Sequence, residues 1–152
     1  MVADGKAEIA GIGFTGPDGA AVSLADFEGR VVLINLWGIF CPPCVKEMPT
    51  LATLQREMGS ERFVVLAVSV DPVPDTEASR IRLAELSDGV LSFYHDPGYG
   101  LVYGFGARGF PTTFLIGADG REIARLEGEA DWASEEARGL IKWALEHRTK
   151  PD

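Results

Sequence analysis

Val31-Val32-Leu33-Ile34-Asn35-Leu36-Trp37-Gly38-Ile39-Phe40-Cys41-Pro42-Pro43-Cys44 is the stretch whose reading decides the fold. Its first half is apolar and β-branched almost without a break, which predicts a central strand buried on both faces. Its second half delivers a Cys-x-x-Cys pair to the start of a helix-like segment, Pro43–Met58. Exposed backbone N–H groups and the positive end of a helix dipole favour a thiolate over a thiol. A thiolate is the species that attacks a disulfide. The spacing therefore points to disulfide exchange. The alternative is an inert structural bridge, or two ordinary core cysteines.

Working outward, Ala7–Phe14 reads as a strand, Gly16-Pro17-Asp18-Gly19 as a turn, and Ala21–Leu24 as a short strand pairing back. Leu24–Phe27 is then a short connector. In the helix Pro43–Met58, the residues Val45, Met48, Leu51, Ala52, Leu54 and Met58 form the apolar side, and Pro49 is expected to kink it. Phe63–Val70 is a second buried strand, Asp71–Asp75 a proline-broken loop, and Thr76–Ser87 a helix capped near Asp75 or Thr76. Leu91–Tyr94 is a short strand and Pro97–Tyr103 a helical turn. Thr112–Ile116, the turn Gly117–Gly120 and Glu122–Leu126 form a hairpin. Asp131–Arg148 closes the chain as an amphipathic helix with Ala133, Ala137, Leu140, Ile141, Ala144 and Leu145 inside. The predicted class is α/β: one domain over 1–152, with a central mixed sheet, helices on both faces and an N-terminal β-hairpin extension.

Composition narrows the function. The 152 residues are 46% hydrophobic and 24% charged, with a net charge of −9. No Lys/Arg cluster offers nucleic acid or an anionic membrane a landing site. No segment reaches the roughly 20 apolar residues of a membrane span. No apolar h-region follows Met1–Lys6, so the chain is either cytosolic or a form whose export segment has been removed. Two cysteines can neither build a disulfide framework nor fill a four-ligand zinc site.

Within the motif, Cys41 lies nearest the helix start and is the expected nucleophile, while Cys44, one turn in, is the shielded resolving thiol. Each unit by which the Cys41 pKa falls is worth about 1.4 kcal/mol in favour of thiolate. Pro42 and Pro43 have no N–H, so they remove donors and should make the pair less oxidising. Glu47, three residues beyond Cys44, shares its helix face and could exchange a proton with it. A first-turn glutamate that only complements the dipole, or pairs with Lys46, is the plainer alternative.

Trp37…Cys41-Pro42-Pro43-Cys44…Pro49 resembles the thioredoxin superfamily, and most closely its TlpA/ResA-like branch of exported thiol–disulfide oxidoreductases. The resemblance covers roughly residues 8–147. It takes in the approach Gly29–Trp37, the hairpin Asp18–Leu24 and Gly109-Phe110-Pro111-Thr112-Thr113-Phe114-Leu115-Ile116. It implies a thioredoxin-like fold and a cis Pro111 facing the cysteines, with the backbone of Phe110 open to a substrate strand. It also implies a glutamate at the Glu47 position. Asn35 departs from cytosolic thioredoxins, which hold a buried Asp there. Asn cannot titrate, which moves the proton role toward Glu47. Phe40 departs from the more usual Trp.

The resemblance further implies a monomer that needs no cofactor or metal beyond its Cys41–Cys44 dithiol. It would act in the periplasm or elsewhere outside the cytoplasm, anchored to the membrane in a longer form. It would reduce a disulfide-containing client such as an apocytochrome c and be reduced by a membrane thiol carrier. Trp37, Phe40, Pro42, Pro43, Phe110 and Pro111 are the expected substrate-binding residues; Phe105 reads better as core. A peroxiredoxin-like peroxidase is disfavoured because Gly38 stands where such enzymes place Thr or Ser. A copper carrier using the thiolates would recruit a Met or His, yet Met48 reads as core and His95 and His147 are placed in a turn and at a helix end. The acidic run Glu127–Asp131 reads as a solvated loop.

Overall fold

A computed structural model describes residues 10–147. Its organising element is β3 (Val31–Trp37), buried along its whole length. β4 (Phe63–Ser69) pairs with it in parallel, Val31 opposite Phe63 and Trp37 opposite Ser69, and β6 (Thr112–Ile116) pairs antiparallel on its other side. β1 (Gly13–Thr15), β2 (Ala21–Ser23), β5 (Phe93–His95) and β7 (Glu122–Glu127) complete one mixed sheet in the order β2-β1-β5-β4-β3-β6-β7.

Successive side chains on a strand point to opposite faces, so β3 supplies two cores at once. Val31, Leu33 and Trp37 pack with helices α1 (Pro42–Met58), α2 (Thr76–Ser87) and α4 (Glu135–Glu146). Val32, Ile34 and Leu36 pack with the short α3 (Gly100–Phe105), with Phe14 of β1 and with Leu24. The seventh β3 position is the C-terminal end of this interior strand, where Gly38–Phe40 leads into the cysteines.

The central elements fall where the sequence places them; the differences lie in caps and short strands. The expected strand Ala7–Phe14 is confined to Gly13–Thr15, and residues 7–9 lie outside the described residues. β5 sits farther along than Leu91–Tyr94 because the Leu91 N–H is taken by Ser87 Oγ (3.2 Å), while His95 reaches registry with Ser69 and Thr15. His95 is thus a buried strand residue, not a turn residue. α3 begins three residues late because the Asp96 carboxylate accepts the N–H groups of Gly100 (3.2 Å) and Leu101 (2.8 Å), fixing the first turn there. α4 begins after Ser134, whose Oγ accepts the Ala137 N–H, and Asp131–Ala133 forms a separate turn. α1 continues through Pro49, which lies on its exposed side. Among the described residues, no helix is long and apolar enough to cross a membrane.

Candidate active site

Cys41 is the N-cap of α1 and Cys44 lies in its first turn; the two are joined by a disulfide with Cα atoms 5.3 Å apart. A helix start normally offers several unpaired N–H groups. Here Pro42 and Pro43 occupy the first two positions, so the first donor is the Cys44 N–H, and it points at Cys41 Sγ (3.3 Å). Cys41 retains 6% of its accessible surface and Cys44 none. The two sulfurs therefore differ in access, and the one backbone donor between them serves the more accessible one.

The loop before Cys41 is held from behind. The Ile39 N–H is shared between the two carboxylate oxygens of Asp71, each at 3.1 Å. Asp71 is buried; it also accepts the Ser69 hydroxyl (2.9 Å), and Ser79 donates to Ser69 Oγ (2.8 Å). His95 Nε2 lies 2.7 Å from the Asp71 carbonyl oxygen. Sequence reading misses this cluster. Asp71 follows β4 and meets Ile39 only because β3 and β4 run parallel with Trp37 beside Ser69.

On the other side, Glu47 is 2% exposed and its carboxylate accepts three hydrogen bonds. The donors are Asn35 Nδ2 (2.6 Å), the Ala130 N–H (3.1 Å) and Trp132 Nε1 (3.0 Å). Asn35 Nδ2 also donates to Thr113 Oγ1 (3.0 Å). Burial pushes the Glu47 pKa above the ordinary carboxylate value; the hydrogen bonds pull it back, and nearby Glu129 adds to the rise. Glu47 and Cys44 lie one turn apart on the buried side of α1. Trp132 is a second residue missed in sequence. The run Glu127–Asp131 is more than a solvated loop, since Ala130 binds Glu47 and Glu129 pairs with Lys46 at the surface (3.3 Å).

The Phe110–Pro111 peptide bond is cis, and Pro111 is buried just ahead of β6. Phe110 is half-buried and meets the exposed ring of Phe40 edge-on, with centroids 5.8 Å apart. Pro42 is exposed and Pro43 half-buried. Trp37 corrects the sequence grouping: it is fully buried in the core with both cysteines and presents no surface to a substrate. Phe105 stacks on Phe114 (4.1 Å) in the opposite core. Gly38 is buried, and a Cβ there would collide with the Phe40 ring as it stands. Among the described residues, no group of three or more His, Cys, Asp or Glu side chains is placed to hold a metal ion. An apolar groove of about 300 Å³ between the β6–β7 hairpin and α4 is walled in part by Thr113, Ala130 and Trp132, at the back of the Glu47 network.

A mixed sheet whose central strand feeds a Cys-x-x-Cys helix start, with a cis proline just ahead of the neighbouring strand β6, defines a thioredoxin-like dithiol protein. The Redoxin family model matches residues 8–141, and the chain belongs to that family, within its ResA-like thiol–disulfide oxidoreductases. It is 31% identical over 127 residues to the thiol-disulfide oxidoreductase ResA of Halalkalibacterium halodurans, covering 82% of this chain and 70% of that one. It is 30% identical over 112 residues to ResA of Bacillus thuringiensis subsp. konkukian, covering 74% of this chain. The match spans 63% of that relative's length. A crystal structure titled as a thiol:disulfide interchange protein DsbE from Chlorobium tepidum superposes with a TM-score of 0.74 at 26% identity, over 88% of this chain and 92% of that one.

Proposed function

We propose that this chain is a single-domain thiol–disulfide oxidoreductase that reduces or exchanges disulfides in exported proteins. The observation that carries the reading is the unequal pair: a partly accessible Cys41 at the start of α1, receiving the only N–H of that turn, backed by a fully buried Cys44.

In the reduced protein, Cys41 thiolate attacks one sulfur of a client disulfide. A Cys41–client disulfide forms and the client's other sulfur leaves as thiolate. Cys44 gives its proton to Glu47 and attacks Cys41 Sγ. The Cys41–Cys44 disulfide closes and the client's second sulfur departs as thiolate. Two electrons pass to the client, whose thiolates take up protons. The environment of Glu47 suits a proton acceptor, because burial raises its affinity for a proton above that of an ordinary carboxylate. Phe110, ahead of the cis Pro111, presents backbone for an extended client segment, and Phe40, Pro42 and Pro43 supply apolar contact beside Cys41.

The relatives named ResA and DsbE support a site of action outside the cytoplasm; there the protein would take reducing equivalents from a membrane thiol carrier and serve cytochrome c maturation as one setting. The protein would act as a monomer, with no cofactor beyond the dithiol. The experiment is capture: Cys44→Ser should accumulate mixed disulfides through Cys41 when incubated with an extract of exported proteins, and Cys41→Ser should not. No adduct with Cys44→Ser refutes the assignment.

A further inference from the structure

Four rings form an unbroken line leading away from Cys41. Phe40 meets Phe110 edge-on, with centroids 5.8 Å apart and planes at 82°. Phe110 meets Tyr99 at 5.9 Å and 83°, and Tyr99 meets Tyr103 at 6.1 Å and 47°. Both ends are exposed, Phe40 at 55% and Tyr103 at 76%. The other exposed aromatic residue, Trp143, stacks instead on His147 at the end of α4.

The outer half of this line is built, not incidental. Tyr99 has φ of 64°, in the left-handed region that a tyrosine seldom occupies. It is kept there by Asp96, whose carbonyl accepts the Tyr99 N–H (3.1 Å) and whose carboxylate caps α3. Asp96 in turn donates its own N–H to Ser69 O at the end of β4 (2.8 Å). The Tyr103 N–H bonds to Tyr99 O (3.0 Å), so the two rings are set by one turn of backbone. Strained backbone maintained at a surface position is characteristic of ligand clamps. The charge pattern agrees. Residues 37–45 and 97–107 contain no charged side chain, in a chain of net charge −9.

We propose that Tyr99 and Tyr103 extend the client-binding surface and select disulfides flanked by an aromatic side chain. The proposal rests on the dithiol reading above and names the class of client it favours. An extended segment advances about 3.3 Å per residue, so a strand seated at Phe110 brings a residue roughly two to four positions from its cysteine over these rings. Edge-to-face ring contacts then add to affinity, and tyrosine gives such contact with little rotamer freedom to lose.

The test uses the reduced protein and synthetic peptides holding one disulfide, identical except that Phe or Gly stands two to four positions from the attacked cysteine, on one side or the other. The expected result is a kcat/KM about two- to tenfold higher for a Phe peptide. That preference should fall toward unity in Tyr103→Ser and in Tyr99→Asn, which retains a residue at ease in the left-handed region, and should persist in Tyr103→Phe. Equal rates for Phe and Gly peptides in the parent protein overturn the aromatic subsite and leave the oxidoreductase reading standing. A preference undiminished in both variants also overturns it. Reduction of none of the peptides overturns both.

Discussion

Asn35 Nδ2 lies 2.6 Å from Glu47 Oε2, joining the centre of β3 to the buried side of α1. The same amide reaches Thr113, while Asn35 Oδ1 has no partner. Neutral Asn satisfies a carboxylate without competing for its proton, which leaves Glu47 as the titrating group of this buried cluster.

Glu47→Gln tests that role. Gln occupies the same space, and its carbonyl oxygen can accept from Ala130 and Trp132. A turned Asn35 amide would accept from its NH₂ and give Oδ1 a partner. The variant should fold, and turnover should fall roughly 100-fold, at the lower end of the span for a lost general base. A pH–rate profile unchanged from the parent would show that Glu47 takes no proton from Cys44.

The raised Glu47 pKa also sets a stability profile. Its folded value lies above its unfolded value, so the native state binds the extra proton. That contribution is fully present below the unfolded value of 4.5 and is lost as pH rises through the raised folded value. Urea titrations across this window should show a stability decline in the parent that is flattened in Glu47→Gln.

Asp71→Ala strands the Ile39 N–H and the Ser69 hydroxyl in a buried site. Stability should drop by about 1–3 kcal/mol, read from the urea midpoint. Asp71→Asn retains one carbonyl acceptor and should lose less. Equal stability in both variants and the parent would mean that water replaces the carboxylate without loss.

Pro43→Ala restores a backbone donor beside Cys41. An added N–H favours the thiolate, and therefore the reduced form, so the potential should become more oxidising. The rise should be about 10–30 mV, equivalent to a Cys41 pKa lowered by up to roughly one unit. Equilibration with glutathione measures the potential directly.

Access should separate the thiols. In reduced protein, iodoacetamide should label Cys41 in Cys44→Ser at least tenfold faster than Cys44 in Cys41→Ser, because Cys44 has no exposed surface. Equal rates would remove the basis for assigning different roles.

The central sheet was legible because its strands are long and apolar: Val31–Trp37 and Phe63–Ser69 carry their own signal, and the cysteines mark where the first one ends. Glu47 was legible from its spacing to Cys44 along one helix. Asp71 and Trp132 were not, because each reaches the site through pairing across distant segments. Trp132 is separated from Glu47 by 85 positions. Trp37 misled in the opposite sense: an aromatic beside a motif suggests a rim, but β3 is buried on both faces and this ring packs in the core with the cysteines. The starts of α3 and α4 depended on Asp96 and Ser134 as caps, and a cap among several polar candidates is settled by the packing of the helix it starts.

The acid beside the buried cysteine is completed by atoms from residues 130 and 132. A nascent chain halted before that point would hold both sulfurs and the whole of α1 while Glu47 lacked two of its three donors. The dithiol is complete once α1 has been made, and the hydrogen-bond shell of the neighbouring carboxylate only after residues 130 and 132 have followed it.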